Sequence, residues 1–591
     1  MIDDSFPSAR TATMMSKLLT RRSVIAVLLM IFLLFSLTNN GFGADSQPLE
    51  NSVQQVDPPA AASADPTGLK FFDWLLIALY AASTIGLGFY FSRKQESTDE
   101  YFTGGRNMNP FLIGVSLFAT LLSTISYLSM PGEAAGKGPV GLVGFLALPF
   151  IFLIVGLWII PVYMKQRVTS AYELLEERLG LSIRLLGASM FLALRLVWMT
   201  LLVYLAAKAL VDMMSVDASW VPLIVLITGS VALIYTSLGG LRAVVITDFM
   251  QTVLLFGGAL LVIVTVTWDF GGFGWFPTTW HANWDDQPFF STDPKERYTV
   301  VGMFLSTLTW YVATSAGDQT SVQRFMSTRD AKAARWALAT QLAVGAVVGL
   351  TLYAVGFALL GYYEAHPVSL RAGLDLKDNA DRLFPVYIAD RLPVGVSGLV
   401  VAAMFAAAMS SIDSGVNSIT AVVMSDYLDR FGLKPKTGKG HVRVARLLAL
   451  GIGAVVVLGS TFMKYIEGNI TAVTQKTVNL LTTPIFALFF FAIFVRRASA
   501  VGVWIGAIFG TLTAALIAFS GPLVYFLYLQ FDIDPATFNV ELITKADPIT
   551  GETWTTAEDP ISFQYIGPVA LTVNIVVGYI ACWVFPKREK E

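Results

Sequence analysis

Ala402-Ala-Met-Phe-Ala-Ala-Ala-Met-Ser-Ser-Ile-Asp-Ser-Gly-Val-Asn-Ser418 is an apolar stretch of membrane-spanning length with hydroxyls and one carboxylate set among tiny residues. Lipid offers no partner to Ser410, Ser411, Asp413 or Ser414, and each uncompensated polar group in hydrocarbon costs several kcal/mol. A carboxylate inside a spanning helix marks a functional site by default. Here it stands beside hard oxygen ligands of the sort a small cation takes. The stretch points to an ion site, and from there to ion-coupled transport.

Composition agrees with that reading. Of 591 residues, 55% are hydrophobic and only 14% charged, with a mean hydropathy of +0.63. These values fit an all-α polytopic membrane protein and exclude a soluble multidomain enzyme. A net charge of −2 gives no case for nucleic acid as a partner. The single cysteine, Cys582, rules out a disulfide framework and a thiolate metal site. His281, His366 and His441 all fall in polar connections, which argues against a histidine proton relay in the membrane. Neither a nucleophile–base set nor a zinc-type histidine pair occurs in the apolar runs, so the chain reads as a non-enzyme.

The amino end has its own pattern. Lys17, Arg21 and Arg22 precede the apolar run Val24–Leu37, and small residues follow at Gly41-Phe-Gly-Ala44, which predicts a signal peptide over 1–44. An uncleaved short anchor is the alternative. Residues 45–70 form a Pro/Ala/Asp-rich linker outside the cytoplasm. Beyond it, 13 spans are expected, near 71–91, 110–131, 141–163, 185–212, 219–237, 243–268, 298–317, 334–361, 395–424, 443–463, 470–495, 500–520 and 562–585. With the amino end outside, about 23 basic residues fall in inside loops and about 9 in the longer outside ones, the bias of cytoplasmic loops. The carboxyl tail, 587–591, then lies in the cytoplasm, and the protein in the plasma or inner membrane.

Spans over 110–268 begin inside and end outside, whereas those over 298–495 do the reverse. Two five-helix sets of opposite orientation suggest an inverted repeat, as many secondary transporters have. A peripheral helix at 71–91 precedes them, and two helices with a long outside loop follow over 500–586. The first helix of each set carries weak-helix polar residues: Thr120, Ser123, Thr124, Ser126 and Ser129 in Ser116–Gly132, and Thr307, Thr309, Thr314 and Ser315 in Ser306–Gly317. Both stretches are candidates for unwound backbone.

Five phrases in order carry a resemblance: Tyr101-Phe-Thr-Gly-Gly-Arg106, Val168-Thr-Ser-Ala-Tyr-Glu-Leu-Leu-Glu-Glu-Arg178, Tyr235-Thr-Ser-Leu-Gly-Gly-Leu-Arg-Ala-Val-Val-Ile-Thr-Asp-Phe-Met-Gln251, Asp318-Gln-Thr-Ser-Val-Gln-Arg324 and Ser410-Ser-Ile-Asp-Ser414. Over roughly 71–500 the chain resembles the sodium:solute symporter family, most nearly its iodide, monocarboxylate and multivitamin branch. The resemblance implies a LeuT-type core of five plus five helices. It also implies a sodium site made by Ala119 and Leu122 in the broken first core helix with Ala407, Ser410 and Ser411 in the eighth. The family's second sodium position corresponds to Asp248, Ser410, Asp413 and Ser414. Asp413 is a departure there, a carboxylate where a hydroxyl is expected. It either strengthens a second cation site or takes a proton instead. Competing readings make Ser410 and Ser411 bond back to their own helix, Asp248 pair with Arg242 or another base, and Asp413 a buried acid held by hydroxyls.

Arg195 is the other intramembrane charge. It suits a two-pronged bond to an anionic solute, a snorkelling or gating role, or neutralisation of Asp248 or Asp413. Glu133 and Lys137 read as loop charges. Against the resemblance, Ser123, Ser126, Tyr127, Phe145, Trp310, Tyr311 and Thr314 are the solute-pocket candidates. Their mix of aromatic bodies and few hydroxyls suits a small organic anion or compact amphipathic solute, and each aromatic reads equally as interhelical packing. The expected function is sodium-coupled import of such a solute, with Na+ as coupling ion, no other cofactor, and solute and lipid as partners. No obligate protein partner is evident. The alternatives are a transporter-like solute sensor, or a sodium-coupled sugar symporter with a non-standard pocket.

Overall fold

The computed structural model describes residues 69–587 apart from 94–96, 167, 215–216, 285–287, 371–373, 378, 434, 436, 464–469 and 547–552. The expected signal peptide lies outside the described residues. In hydrocarbon every backbone N–H and C=O must find its partner within the segment, so apolar runs of this length become helices. Eleven described helices are long and apolar enough to cross a membrane, and a bent pair adds a twelfth crossing if it is one span.

In chain order they begin with α1 (Phe71–Ser92) and the bent pair α2 (Pro110–Leu121) and α3 (Thr124–Lys137). A composite helical run, Pro139–Gln166, starts with a tight 3₁₀ segment and widens over Phe152–Ile159. Next come α4 (Leu181–Met214), α5 (Val221–Asp269), α6 (Val300–Gly317), the short α7 (Gln319–Met326) and α8 (Ala331–Ala365). After α9 (Ala380–Arg391) follow α10 (Val396–Val422), α11 (Gly438–Ser460), α12 (Ile470–Phe494), α13 (Ala500–Ala518), α14 (Ser520–Phe531) and α15 (Ile566–Val584).

Three details differ from the sequence reading. The 520–562 connection holds an antiparallel hairpin of β1 (Leu542–Ala546) on β2 (Thr553–Ala557), running from Leu542 opposite Ala557 to Ala546 opposite Thr553, so the chain is not wholly helical. The spans expected at 219–237 and 243–268 are one 49-residue helical run, α5, broken only at Gly240 (φ 57, ψ −168). A straight helix of that length would reach about 74 Å, more than twice a hydrocarbon core of about 30 Å. A positive φ with extended ψ is open only to glycine, so Gly240 is where the run turns. Finally, α6 is continuous through Thr307, Thr309, Thr314 and Ser315. Its interruption comes one residue later, at Asp318 (φ −93, ψ 123), whose carboxylate accepts from the Thr320 N–H and starts α7.

The break between α2 and α3 falls within the hydroxyl-rich stretch. Leu122 and Ser123 are extended (ψ 106 and 164), the axis bends by 71°, and the Ser123 hydroxyl caps α3 by accepting from the Ser126 N–H. α10 is the central helix, with 83% of its apolar window buried against 17% for α1 at the periphery. Even so, α1 is fastened to the centre. Asp73, only 1% exposed, accepts from Gly395 N, Gly398 N and Ser397 Oγ at 2.7–2.9 Å and so caps the start of α10. Further along, α1 meets α5 where a side chain on Gly88 would stand 2.8 Å from the Tyr235 backbone.

Candidate cation and solute sites

Where α2 stops, its last carbonyls lose their intrahelical donors. One of them is Ala119, which α10 meets with small residues. The Ser410 hydroxyl is shared between the Ala119 carbonyl at 3.0 Å and the Ala407 carbonyl at 2.9 Å. Nearby, the Thr124 hydroxyl donates to the Met404 carbonyl. Ser411 is 2% exposed, and among the described residues its hydroxyl has no hydrogen-bond partner. Ala119, Ala407 and Ser410, three of the five residues expected at a first sodium site, thus meet at one buried junction; Ser411 follows Ser410 in the chain, and Leu122 sits buried at the break itself. Ser410 does bond back to its own helix, but it also bridges to the other one.

A second polar cluster lies among α2, α5, α7 and α10. Ser116 Oγ donates to Asp248 Oδ2 at 2.5 Å. Arg324 donates to Ser116 Oγ (2.8 Å), to Ser414 Oγ (2.5 Å) and to Asp248 Oδ2 (3.2 Å). The base paired with Asp248 is therefore Arg324; Arg242 instead reaches the Gly104 carbonyl and Glu100. Asp413 receives the Tyr235 hydroxyl at 2.5 Å and the Ser414 hydroxyl at 3.1 Å. Among the described residues it has no ion-pair partner. Among the described residues, Asp248 Oδ1 is buried without a hydrogen-bond partner. Buried polar atoms without partners are rare and call for a ligand, an ion or water. Asp248, Asp413 and Ser414 come together here, while Ser410 belongs to the junction described first.

Arg195 is paired with Asp318, not with Asp248 or Asp413. The pair lines a small cavity of ≈ 30 Å³ with Thr120, Trp198, Trp310 and Thr314. Two of the seven expected pocket residues, Trp310 and Thr314, therefore reach it, and the Thr314 hydroxyl is buried without a partner. The others serve elsewhere. Ser123 caps α3 and touches Ser126 at 3.2 Å. Tyr127 is fully buried with its hydroxyl on the Leu255 carbonyl, and Phe145 fills the space left by Gly349. Tyr311 stacks edge-on against Trp310. Tyr127 is enclosed by neighbouring spans, whereas Phe145 is half-buried. Glu133 is tied to Arg297 and Tyr298, a buried-edge contact and not a free loop charge.

The phrases quoted from the sequence meet in space. Gln319 donates to the Thr169 carbonyl and accepts from Ala171 N, while Gln323 donates to the Phe102 carbonyl and to Asn417 Oδ1. Arg184 joins Asp426 (2.6 Å) and Glu176 (2.7 Å). The Arg430 guanidinium hydrogen-bonded to Glu176, with Arg184 behind it, holds that carboxyl below the usual glutamate range. The sequence reading gave no role to Tyr235, Asp318, Arg324 or Ser116. Three of them lay inside quoted phrases, and Ser116 opened a quoted stretch. For Asp73 the available signal was an acid three residues into an apolar span.

A bundle of apolar spans with a broken helix facing a buried polar centre is the build of a secondary transporter. The chain belongs to the sodium:solute symporter family, whose model matches residues 101–510. It is 31% identical over 473 residues to the sodium/sialic acid symporter SiaT of Proteus mirabilis, covering 78% of this chain and 92% of that one. It is 32% identical over 464 residues to the sodium/sialic acid symporter NanT of Aliivibrio fischeri, covering 77% and 89%. Rabbit multivitamin (28%), human iodide (26%) and human monocarboxylate (25%) sodium-coupled transporters are also relatives. In three dimensions it resembles a substrate-bound, outward-open Na+-coupled sialic acid symporter, with a TM-score of 0.70 at 26% identity over 88% of this chain and 100% of that one.

Proposed function

We propose that this protein is a symporter that couples inward Na+ movement to uptake of a small organic anion by alternating access. The observation that carries the reading is the Ser410 hydroxyl bridging the Ala119 and Ala407 carbonyls at the break between α2 and α3. Sodium takes the same hard oxygens, so Ala119, Leu122, Ala407, Ser410 and Ser411 form the first ion site. The unpartnered Ser411 hydroxyl supports that assignment. Asp248, Asp413 and Ser414 form a second cation site. Each charge entering down ~100 mV supplies about 2.3 kcal/mol to solute accumulation.

For the solute, Arg195 is the anion contact. Its partner Asp318 is itself a carboxylate, so a carboxylate on the solute competes for the same guanidinium in the cavity beside Trp310 and Thr314. Sialic acid, a carboxylate carried by two relatives, is the first solute to test. The eleven long apolar helices, the bent pair, and the turn at Gly240 that divides one of the eleven in two support 13 crossings. The basic-residue bias supports an amino end outside and a carboxyl end in the cytoplasm.

The test is uptake by proteoliposomes of a panel of labelled acids headed by sialic acid, with and without an inward Na+ gradient. Na+-dependent accumulation that disappears in Ser410→Ala/Ser411→Ala is expected. Accumulation indifferent to Na+ would reject the reading.

A further inference from the structure

Arg324 is among the largest fully buried side chains, 1% exposed. Besides the Thr320 carbonyl of its own helix (3.1 Å), every group it touches belongs to another element: Ser116 on α2, Asp248 on α5 and Ser414 on α10. Two of these, Asp248 and Ser414, are residues of the proposed second cation site. The guanidinium thus lies on the ligands themselves, not beside them.

Charge bookkeeping shows what this means. The cluster holds two carboxylates, Asp248 and Asp413, and one resident cation. Asp413 is met only by neutral hydroxyls, and Asp248 keeps one oxygen unpartnered. Arg324 is the cation that the described residues bring to Asp248, and its withdrawal leaves that carboxylate without an ion-pair partner among them. A sodium ion ligated by Asp248 and Ser414 would need oxygens at about 2.4 Å, the range of similarly sized hard cations. One Arg324 nitrogen already lies 2.5 Å from Ser414 and 3.2 Å from Asp248. Both cations cannot be there together.

α7 is eight residues long and is joined to α6 through the extended residue Asp318. Gln319 and Gln323 bond to the Thr169 and Phe102 carbonyls and to the Asn417 amide, while Val322, Phe325 and Met326 are buried in the apolar core, so the helix body is held and it is the long Arg324 side chain that can be displaced. The Asp318 carboxylate at the joint is the one that Arg195 holds at the solute cavity.

We propose that Arg324 is a built-in counter-cation of the second ion site, admitting a cation from solution only when its guanidinium withdraws from Asp248 and Ser414. This rests on the second-site reading given above and adds its regulation: the ion and Arg324 are mutually exclusive occupants. By linkage, whatever draws the guanidinium away tightens the ion, and the ion keeps the guanidinium away to the same degree.

The test is equilibrium binding of ²²Na+ to the purified full-length protein in detergent, in a Ser410→Ala/Ser411→Ala background that disables the first site. Asp248→Asn should abolish the residual binding; if it leaves binding unchanged, the second-site reading falls and this proposal with it. Where Asp248 is required, Arg324→Gln should lower the half-saturating Na+ concentration roughly tenfold, within the usual range of coupling between sites. Arg324→Lys, which keeps the charge and loses the forked donor set, should shift it less. Half-saturation equal to or higher than the Arg324 parent in both variants overturns the proposal. Should Arg324→Gln fail to purify without sodium, the rise in unfolding temperature on adding Na+ decides instead, through Arg324→Lys. It should exceed that of the parent, and an equal or smaller rise overturns the proposal.

Discussion

The hydroxyl of Ser410 stands 3.0 Å from the carbonyl oxygen of Ala119, a residue 291 positions earlier. That contact joins the middle of α10 to the last turn of α2, at the point where α2 has run out of its own hydrogen-bond donors. Removing the hydroxyl removes both a proposed ion ligand and the bridge. Ser410→Ala is expected to raise the Na+ concentration for half-maximal uptake at least about tenfold, 1.4 kcal/mol being a factor of ten. Ser411→Ala should do the same while leaving the unfolding temperature in detergent nearly unchanged, since its hydroxyl has no protein partner. A Ser411→Ala protein with unaltered Na+ dependence would remove Ser411 from the site.

Tyr235 donates to the buried Asp413 carboxylate, which has no basic ion-pair partner among the described residues. Tyr235→Phe leaves Asp413 short of a donor, which costs roughly 1–3 kcal/mol. In an Asp413→Asn background the same change should cost markedly less. A double-mutant cycle on unfolding free energy measures this, and a coupling near zero contradicts the contact.

Breaking the Arg195–Asp318 pair from one side strands a buried charge, at a cost of about 3–5 kcal/mol. Arg195→Gln and Asp318→Asn should each lower stability by that order, and the double variant should recover a large part. Uptake separates the two partners: carboxylate uptake is expected to be lost in Arg195→Gln even with Asp318→Asn alongside it. Retention of uptake in the double variant would show that Arg195 does not contact the solute.

Gly240 turns α5 with φ 57 and ψ −168. Gly240→Ala forces a Cβ into that conformation, at on the order of 1–3 kcal/mol. Thermal unfolding should show the loss, whereas Gly257→Ala on the same helix, with open space around it, should not.

The Arg430 and Arg184 guanidinia keep Glu176 ionised to lower pH than an isolated glutamate. A depressed carboxyl contributes stability that is complete above its unfolded-state value and is lost as pH falls through its folded value. Acid titration of the unfolding temperature should therefore show a weaker decline below the ordinary glutamate range in Glu176→Gln than in the parent. Identical slopes would mean the exposed Arg430 contact is screened away.

Much of the site could be read from residue type because lipid makes polarity informative. Hydroxyls and acids in apolar runs have no solvent to explain them, so Ser410, Ser411, Asp248, Asp413 and Arg195 stood out one by one. Partners were harder to read. Arg195 was open to Asp248, Asp413 or solute, and its actual neighbour Asp318 looked like a loop residue because the helix break falls there and not among the threonines before it. Tyr127 and Phe145 show the converse: an aromatic in a span has the same sequence signature whether it lines a cavity or fills a gap between helices.

By itself, then, the sequence determined that the chain crosses a membrane many times, roughly where, and which of its helices carry buried oxygen. Those properties follow from local hydropathy and from the cost of unpaired polar atoms in hydrocarbon. Only the tertiary structure decided that Arg324 stands on Asp248 and Ser414, that Asp318 holds Arg195, and that Asp73 on the peripheral helix caps the central one. Such pairings depend on which faces of distant helices meet, and a ring of equivalent charges along one chain does not specify that choice.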